Sequence, residues 1–347
     1  MRAEVQALIR DCLAGAADPA RVEHAALALC AWQRAHSPAY AALCGEAVPH
    51  GLAEIPAVPV GLFREADFTC FSPSDAAFDF HTSGTTAGRP GRHRLRDTRT
   101  YDLASEGWFS ARLPGAPRCC LALVPSPALA PHSSLSHMVA RLFAGTHWCT
   151  DSEGLVDAAE AWSWLSTQVA PVFVAATSLG LASLLQADGR CELPEGSVVM
   201  TTGGFKGRRL ALDAEALLAE ARARLGRRIV LVGEYGMTEL SSQLWTDPCG
   251  PEVPPAACAE APYYAPPWLV PVIVDPGTGA PLPRGARGQI RFVDLANDHT
   301  VLAIETMDQG TLLPGGGLLL HGRLPGAEVR GCSLTVEEAL EARLARP

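Results

Sequence analysis

Residues 80–96 read FHTSGTTAGRPGRHRLR, a stretch in which Thr82, Ser83, Gly84, Thr85, Thr86 and Gly88 form one hydroxyl-rich run interrupted by glycine. Small hydroxyl residues present O–H and N–H donors to a polyanion, and glycine lets the backbone approach it without a Cβ in the way. Arginines follow at 89, 92, 94, 96 and 99, with His93 among them. In a chain of formal net charge −9 this run inverts the local charge, and a phosphate-bearing ligand is the simplest explanation. A solvated turn leading into a basic surface helix accounts for the same residues without a ligand. The run is neither a G-x-x-x-x-G-K-[ST] loop nor a G-x-G-x-x-G fingerprint.

A second segment, RIVLVGEYGMTE at 228–239, reads as a strand ending at Gly233, then a polar turn with Glu234, Tyr235, Thr238 and Glu239. Ligands of open α/β sheets gather at the carboxyl ends of strands. A carboxylate there suits Mg²⁺, which takes oxygen ligands together with substrate phosphates. Merely exposed glutamates are the plainer alternative. In SVVMTTGGFKG at 197–207 a strand runs into glycines beside Lys206, and taken alone a β-turn with an exposed lysine explains it better. Cys119 and Cys120 open an apolar strand and read as core, whereas Cys249 and Cys258 lie in a Pro-rich stretch with access to solvent. His132 and His137 lack a metal-ligand pattern. Trp162 and Trp164 have the spacing of packing residues, and no G-x-S-x-G supports serine-hydrolase chemistry.

These segments need a scaffold. Apolar runs at 120–124, 172–175, 197–200 and 228–232 read as buried strands, and helical patterns at 134–143, 155–169, 179–185 and 211–225 alternate with them. That order predicts an α/β fold with a largely parallel sheet covered by helices. Residues 1–46 read as two helices separated at Asp18-Pro19, and 48–71 as Pro-punctuated extended chain. Beyond about 246, Pro and Gly punctuate short strands (WLVPVIV, QIRFV, LLLHG), which predicts a β-rich subdomain. The expected division is therefore 1–250 and 251–347, with Thr335 and Glu338 forming a capping box that starts a short terminal helix.

With 347 residues, 48% hydrophobic and 19% charged, the composition is globular and excludes a disordered, collagenous or coiled-coil chain. Its acidity argues against general nucleic-acid binding. Eleven scattered cysteines, an odd number without a CxxC pair, point to a reducing compartment. Arg2, Glu4, Arg10 and Asp11 interrupt any signal-peptide core, and no apolar run reaches membrane-spanning length. The expectation is a soluble, cytoplasmic protein.

Taken together and in order, the segments resemble the adenylate-forming superfamily. Its hallmarks are an SGTTGxPK loop, matched at Ser83–Thr86 but with Ala87 in place of Gly and arginines in place of the lysine, and a later YGxTE, matched by Tyr235-Gly236-Met237-Thr238-Glu239. The acyl-protein synthetase (LuxE-like) branch is more similar still. PVGLFRE at 59–65, Gly203-Gly204-Phe205-Lys206 and RGCSL at 330–334 resemble elements of that branch.

The resemblance implies a large N-terminal adenylate-forming-type domain without the mobile C-terminal domain that supplies a catalytic lysine in most of the superfamily. It implies ATP and Mg²⁺ as cofactors and a carboxylic acid, of the fatty class, as substrate. Ser83, Gly84, Thr85 and Thr86 would hold the triphosphate. Gly203 and Gly204 would line the adenine pocket, Tyr235 would stack near the base, and Glu234 and Gly236 would complete that set. Thr238 would touch the α-phosphate and Glu239 would hold Mg²⁺. Asp308 in TMDQG would bind the ribose, and Arg323 would reach the nucleotide. Lys206 and His93 are the candidate cations near the departing pyrophosphate. Cys332 would accept the acyl group and pass it to a partner protein such as a reductase. A ligase delivering the adenylate to coenzyme A or a carrier protein is one alternative, and a nucleotide-binding scaffold without catalysis is another. The acid would be lined by segments near 132–138 and 172–182, where Ala175, Ala176, Ser178, Gly180 and Ala182 are small.

Overall fold

Asp18 and Pro19 end one helix and begin the next for reasons of local chemistry. The Asp18 carboxylate accepts from the Ala20 N–H at 3.0 Å, and Pro19 takes a first-turn position where a missing N–H is harmless. The computed structural model describes residues 1–82, 89–151, 154–203 and 213–324. Helix α1 is Arg2–Leu13 and α2 is Pro19–His36. The same Ser/Asp-Pro signal recurs at Ser37-Pro38 and starts a third helix, α3 (Pro38–Cys44), where the sequence had suggested two helices. The segment expected to be extended instead coils into short 3₁₀ turns at Leu52–Glu54 and Val60–Arg64, on either side of strand β1 (Val58–Pro59). Leu62 and Phe63 are buried by the second turn.

Strands β2 (Phe78–His81) and β3 (Arg92–Leu95) pair antiparallel, with Phe80 opposite His93. Helix α4 (Arg99–Arg112) follows. The alternating region then runs β4 (Cys119–Leu123), α5 (Ser134–Leu142), β5 (Gly145–Trp148), α6 (Ala158–Ser166), β6 (Phe173–Thr177), α7 (Ser178–Gln186), β7 (Val198–Thr202), α8 (Ala214–Leu225) and β8 (Val230–Tyr235). Each of α5 to α8 opens on a side-chain cap, from Ser133, Asp157, Thr177 and Asp213 respectively. The rest is β9 (Leu244–Thr246), α9 (Pro255–Ala259), β10 (Tyr263–Tyr264), β11 (Leu269–Val274), β12 (Arg287–Asp294), β13 (Ala303–Leu312) and β14 (Leu318–Arg323).

Cα proximity divides the chain into two compact units. The first comprises residues 1–104, 237–242 and 265–347, and the second 105–236 and 243–264. Four expected strands lie in the second unit, where β5, β4, β6, β7 and β8 are parallel neighbours in that order. β9 joins β8 antiparallel, and β10 joins β9. Because the chain leaves β4 to one side for β5 and then crosses to the other for β6, the sheet is doubly wound. Leu121, Val174, Ala176, Val199 and Leu231 are buried on strands, and Leu165, Leu181, Leu184, Leu217 and Leu225 on helices, all in one apolar cluster. Each fully buried side chain of this kind contributes roughly 1.5–3 kcal/mol relative to exposure. Ala176 and Ala182 are packed inside that cluster, so they are core rather than free pocket lining.

The first unit carries the β2–β3 hairpin and an antiparallel run β11-β12-β13-β14, with β1 parallel on β13. Its largest fully buried side chains include Tyr40, Phe80, Trp268 and Phe292. No helix among the described residues is long and apolar enough to cross a membrane. Cys120, Cys249 and Cys258 are buried and Cys119 is exposed, so the Pro-rich setting of Cys249 and Cys258 does not bring them to solvent. Trp162 is buried and donates its indole N–H to the Leu184 carbonyl at 3.2 Å. Trp164 stacks on His147.

Candidate functional site

Ser83, Gly84, Thr85, Thr86, Gly204, Lys206 and Cys332 lie outside the described residues. The arginines after residue 88 are placed, and they are not a free basic patch. Arg92 pairs with Asp79, and Arg94 with Asp67 and Asp79. Arg96 meets Asp75 at 2.9 Å and lies over the Phe71 ring, and Arg99 meets Asp97 at 2.8 Å. Four of the five arginines are thus offset in space by carboxylates of β2 and the neighbouring loops, and β3 stands where composition allowed a basic helix.

His93 sits on β3 with its side chain fully buried. Its Nδ1 is 2.7 Å from the Thr238 carbonyl oxygen, which only accepts, so Nδ1 carries the proton. Nε2, at 3.0 Å from Thr300 Oγ1, then accepts from that hydroxyl. One donor and one acceptor describe a neutral imidazole. Burial lowers its pKa to about 4, against a smaller opposing effect of the Thr238 bond. The ring is therefore neutral at pH 7 and supplies no cation, contrary to the role expected for it. It ties Thr238 to Thr300 instead.

In the second unit the ladder between β7 and β8 continues past the last apolar residues and sets Thr202 opposite Glu234. The Thr202 hydroxyl donates to the Glu234 carboxylate, which is buried. A Cβ at Gly236 would lie 2.6 Å from Glu234 Oε1, so a larger residue here would displace the Glu234 carboxylate. Gly203 ends β7 at φ +72°, a left-handed conformation that favours glycine, and its carbonyl accepts from Ser178 Oγ at 2.7 Å. The half-buried Tyr235 meets Tyr263 edge-on, with ring centroids 6.2 Å apart. Burial first, then the Glu234 charge, pushes the Tyr263 hydroxyl up to about 12, so it stays protonated.

The first unit holds the remainder of the YGMTE segment. Thr238 Oγ1 donates to the His81 carbonyl at 3.3 Å. Glu239 is buried, and its carbonyl accepts from Asn297 Nδ2 at 2.8 Å. Asp308 on β13 stands in cross-strand register with Arg323 on β14, and Arg323 Nε lies 3.9 Å from Asp308 Oδ1. Two residues singled out for the nucleotide are thus neighbours. Among the described residues no group of three or more His, Cys, Asp or Glu is placed to hold a metal. Glu239 brings one carboxylate. That suits Mg²⁺ held by one carboxylate plus substrate phosphates and water, not by a protein cage.

Three contributors carried no signal that the sequence reading used. Asp294 is fully buried at the end of β12; it accepts from Ser241 N at 2.9 Å, Ser242 Oγ at 2.8 Å and Ala296 N at 3.0 Å. Burial raises its pKa to about 6, with the three donors pulling the other way. Asn297 and Gln33 are also fully buried. Asn297 donates to the carbonyls of Glu239 and Val301, while Gln33 donates to the Asn297 carbonyl and accepts from Leu302 N. Asp294 and the polar run at 297–300, set between apolar strands, were the available clue.

No protein-family model and no curated protein sequence matches the chain. Solved structures do. ATP-bound MatB from Rhodopseudomonas palustris is similar over 73% of this chain and 49% of its own, at 18% identity and a TM-score of 0.51. O-succinylbenzoate coenzyme A synthetase (MenE) from Bacillus subtilis in complex with AMP is similar over 72% and 49%, at 21% identity and a TM-score of 0.50. The same enzyme with its acyl-adenylate intermediate OSB-AMP matches over 72% of this chain and 62% of its own, at 20% identity and a TM-score of 0.50. The chain spans about half the length of the first two. These likenesses show the fold alone: the chain shares the α/β architecture of these enzymes over the part it spans.

Proposed function

We propose that the chain activates a carboxylic acid with ATP, forming an acyl-adenylate and pyrophosphate. The observation that carries this reading is the placement of Tyr235–Glu239: the motif leaves the carboxyl end of the parallel strand β8 and ends at the buried Glu239, in a fold shared with ATP- and AMP-bound enzymes. In the reaction a carboxylate oxygen bonds to the α-phosphorus of ATP as the bond from that phosphorus to the pyrophosphate oxygen breaks. Bound Mg²⁺ supplies charge neutralisation on the leaving phosphates. Glu239 would hold the ion. Ser83, Gly84, Thr85, Thr86 and Thr238 orient the phosphates, and Lys206 is the remaining cation for pyrophosphate once His93 is neutral. Gly203, Gly204, Glu234, Tyr235 and Gly236 receive the adenine side of the nucleotide, and Asp308 with Arg323 the ribose. Holding both reactants in line supplies much of the acceleration.

The acyl group then passes to a thiol. A thiolate attacks the acyl carbon and AMP leaves; in the acyl-protein synthetase reading that thiolate is Cys332, and the acyl group moves on to a partner protein. Intact mass after incubation with ATP, Mg²⁺ and mixed fatty and aryl acids tests both steps. A covalent acyl adduct lost in Cys332→Ser, with carboxylate-dependent pyrophosphate–ATP exchange retained, supports this reading. An acyl-coenzyme A product, unchanged in Cys332→Ser, replaces it with a coenzyme A ligase. Absence of exchange across the acid panel removes the activation step itself. Glu239→Gln is expected to weaken Mg²⁺-dependent ATP binding at least about tenfold, since a charged oxygen ligand is replaced by a neutral one.

A further inference from the structure

Residues 239–242 are buried yet belong to neither helix nor strand. Buried main-chain groups need partners, and without a ladder these must come from elsewhere. They come from three side chains distant in sequence. His93 donates to the Thr238 carbonyl across 145 positions, Asn297 to the Glu239 carbonyl across 58, and Asp294 accepts from the Ser241 N–H across 53. One local bond, Leu240 N–H to the Met237 carbonyl, completes the turn.

All three side chains converge on one connection, the loop 295–302 between β12 and β13. Asp294 and Asn297 flank its start, and Thr300 donates its hydroxyl to His93. The loop is itself fixed from three further directions. Gln33 of α2 bonds the Asn297 carbonyl and the Leu302 N–H at 2.8 and 2.9 Å. The Cys70 N–H donates to the His299 carbonyl at 2.9 Å. Asp298 accepts from Thr100 Oγ1 at 2.6 Å and pairs with Arg2 at 3.3 Å. The Asn297 amide can face its neighbours only one way, because both groups before its nitrogen are carbonyl oxygens.

We propose that the loop 295–302 sets the main-chain position of Thr238–Ser242, with Asn297 the positioning residue for Glu239 and His93 the positioning residue for Thr238. The proposal rests on the reading of Thr238 and Glu239 as phosphate and Mg²⁺ contacts. Asn297 and His93 touch no reactant; they act through the residues whose carbonyls they hold. A segment that must present a hydroxyl and a carboxylate to one triphosphate gains from being fixed at consecutive carbonyls, because small displacements of reacting groups are expensive in rate.

The test uses the full chain and the variants Asn297→Leu, His93→Leu and His93→Asn. Leucine keeps the shape of asparagine without its donors. Asparagine at 93 keeps a donor near the Nδ1 position and loses the acceptor facing Thr300. Two readouts are taken: amide hydrogen exchange of peptides covering 236–243, with a peptide covering 173–177 as reference, and pyrophosphate–ATP exchange with KM for MgATP and for the acid measured separately. Loss of one positioning bond is expected to raise exchange in 239–242 and KM for MgATP by about tenfold each in both leucine variants. The reference peptide and KM for the acid stay unchanged, and His93→Asn stays near wild type.

The proposal is overturned if protection falls equally in both peptides, if the two KM values rise together, or if His93→Asn is as impaired as His93→Leu. Should Asn297→Leu fail to fold, the two His93 variants decide the same question. If the wild-type chain shows no ATP binding and no exchange, the proposed activity fails, while hydrogen exchange still reports whether the clamp exists.

Discussion

Residues 230–235 and residues 238–242 are nearly contiguous, yet they are held by different physics. The first stretch is β8, fixed by main-chain bonds to β7 and β9 and by apolar packing of Leu231 and Val232. The second has no ladder and is fixed by His93, Asn297 and Asp294, every one fully buried. Ladders and apolar packing tolerate substitution in proportion to volume, because cores accept other hydrophobic residues of similar size. Buried polar bonds tolerate almost none, because removing one partner strands the other away from water. The parallel-sheet unit should therefore fail by loss of stability, and the 238–242 segment by loss of position.

The largest expected effect lies in the sheet. Phe173→Ala removes a fully buried ring from β6 and should lower unfolding free energy by about 3–5 kcal/mol in urea titration. A smaller loss than that of the polar variants would break the contrast. Next, Asp294→Asn sets an N–H against one of its donors and should cost about 1–3 kcal/mol, with KM for MgATP rising while KM for the acid holds.

Acid should expose the same difference. His93 has a folded pKa of about 4 and His299 of about 3, both lowered by burial from the ordinary 6.5. A lowered folded value means that stability is complete above pH 6.5 and is lost as pH falls from there towards 4. Asp294, raised to about 6, and Asp298, also raised by burial, work in the opposite sense above the ordinary 3.8, while His321, lowered by burial, adds to the two histidines, so three groups oppose two. Stability measured from pH 7 to pH 4 should fall, and the fall should be shallower in His93→Asn. An unchanged slope would remove His93 from the account. The smallest effect is expected at the surface, where Arg228→Ala, which breaks the exposed pair with Glu195, should change stability by less than about 0.5 kcal/mol.

Much of the fold was legible because apolar periodicity reports what a ladder buries. The runs at 120–124, 172–175, 197–200 and 228–232 coincide with β4, β6, β7 and β8 within one to three residues. The offset is physical. Pairing continues through Thr202 and Glu234, polar residues that hydropathy counts as loop. Side-chain pairing across distance was not legible. The arginines at 92–99 read as excess charge because Asp67, Asp75 and Asp79 neutralise them only in space. His93 read as a cation because its burial is invisible along the chain. Asn297 gave no signal because its partner, the Glu239 carbonyl, belongs to every residue type alike.

Gln33 imposes an order on biosynthesis. Its partners, the Asn297 carbonyl and the Leu302 N–H, lie 264 and 269 positions downstream. At bacterial or eukaryotic translation speeds that separation is a delay of roughly ten to fifty seconds. Throughout it, α2 must keep a glutamine amide wet that the finished protein seals from solvent. The Gln33 contacts of α2 therefore cannot form on the ribosome until residue 302 has emerged.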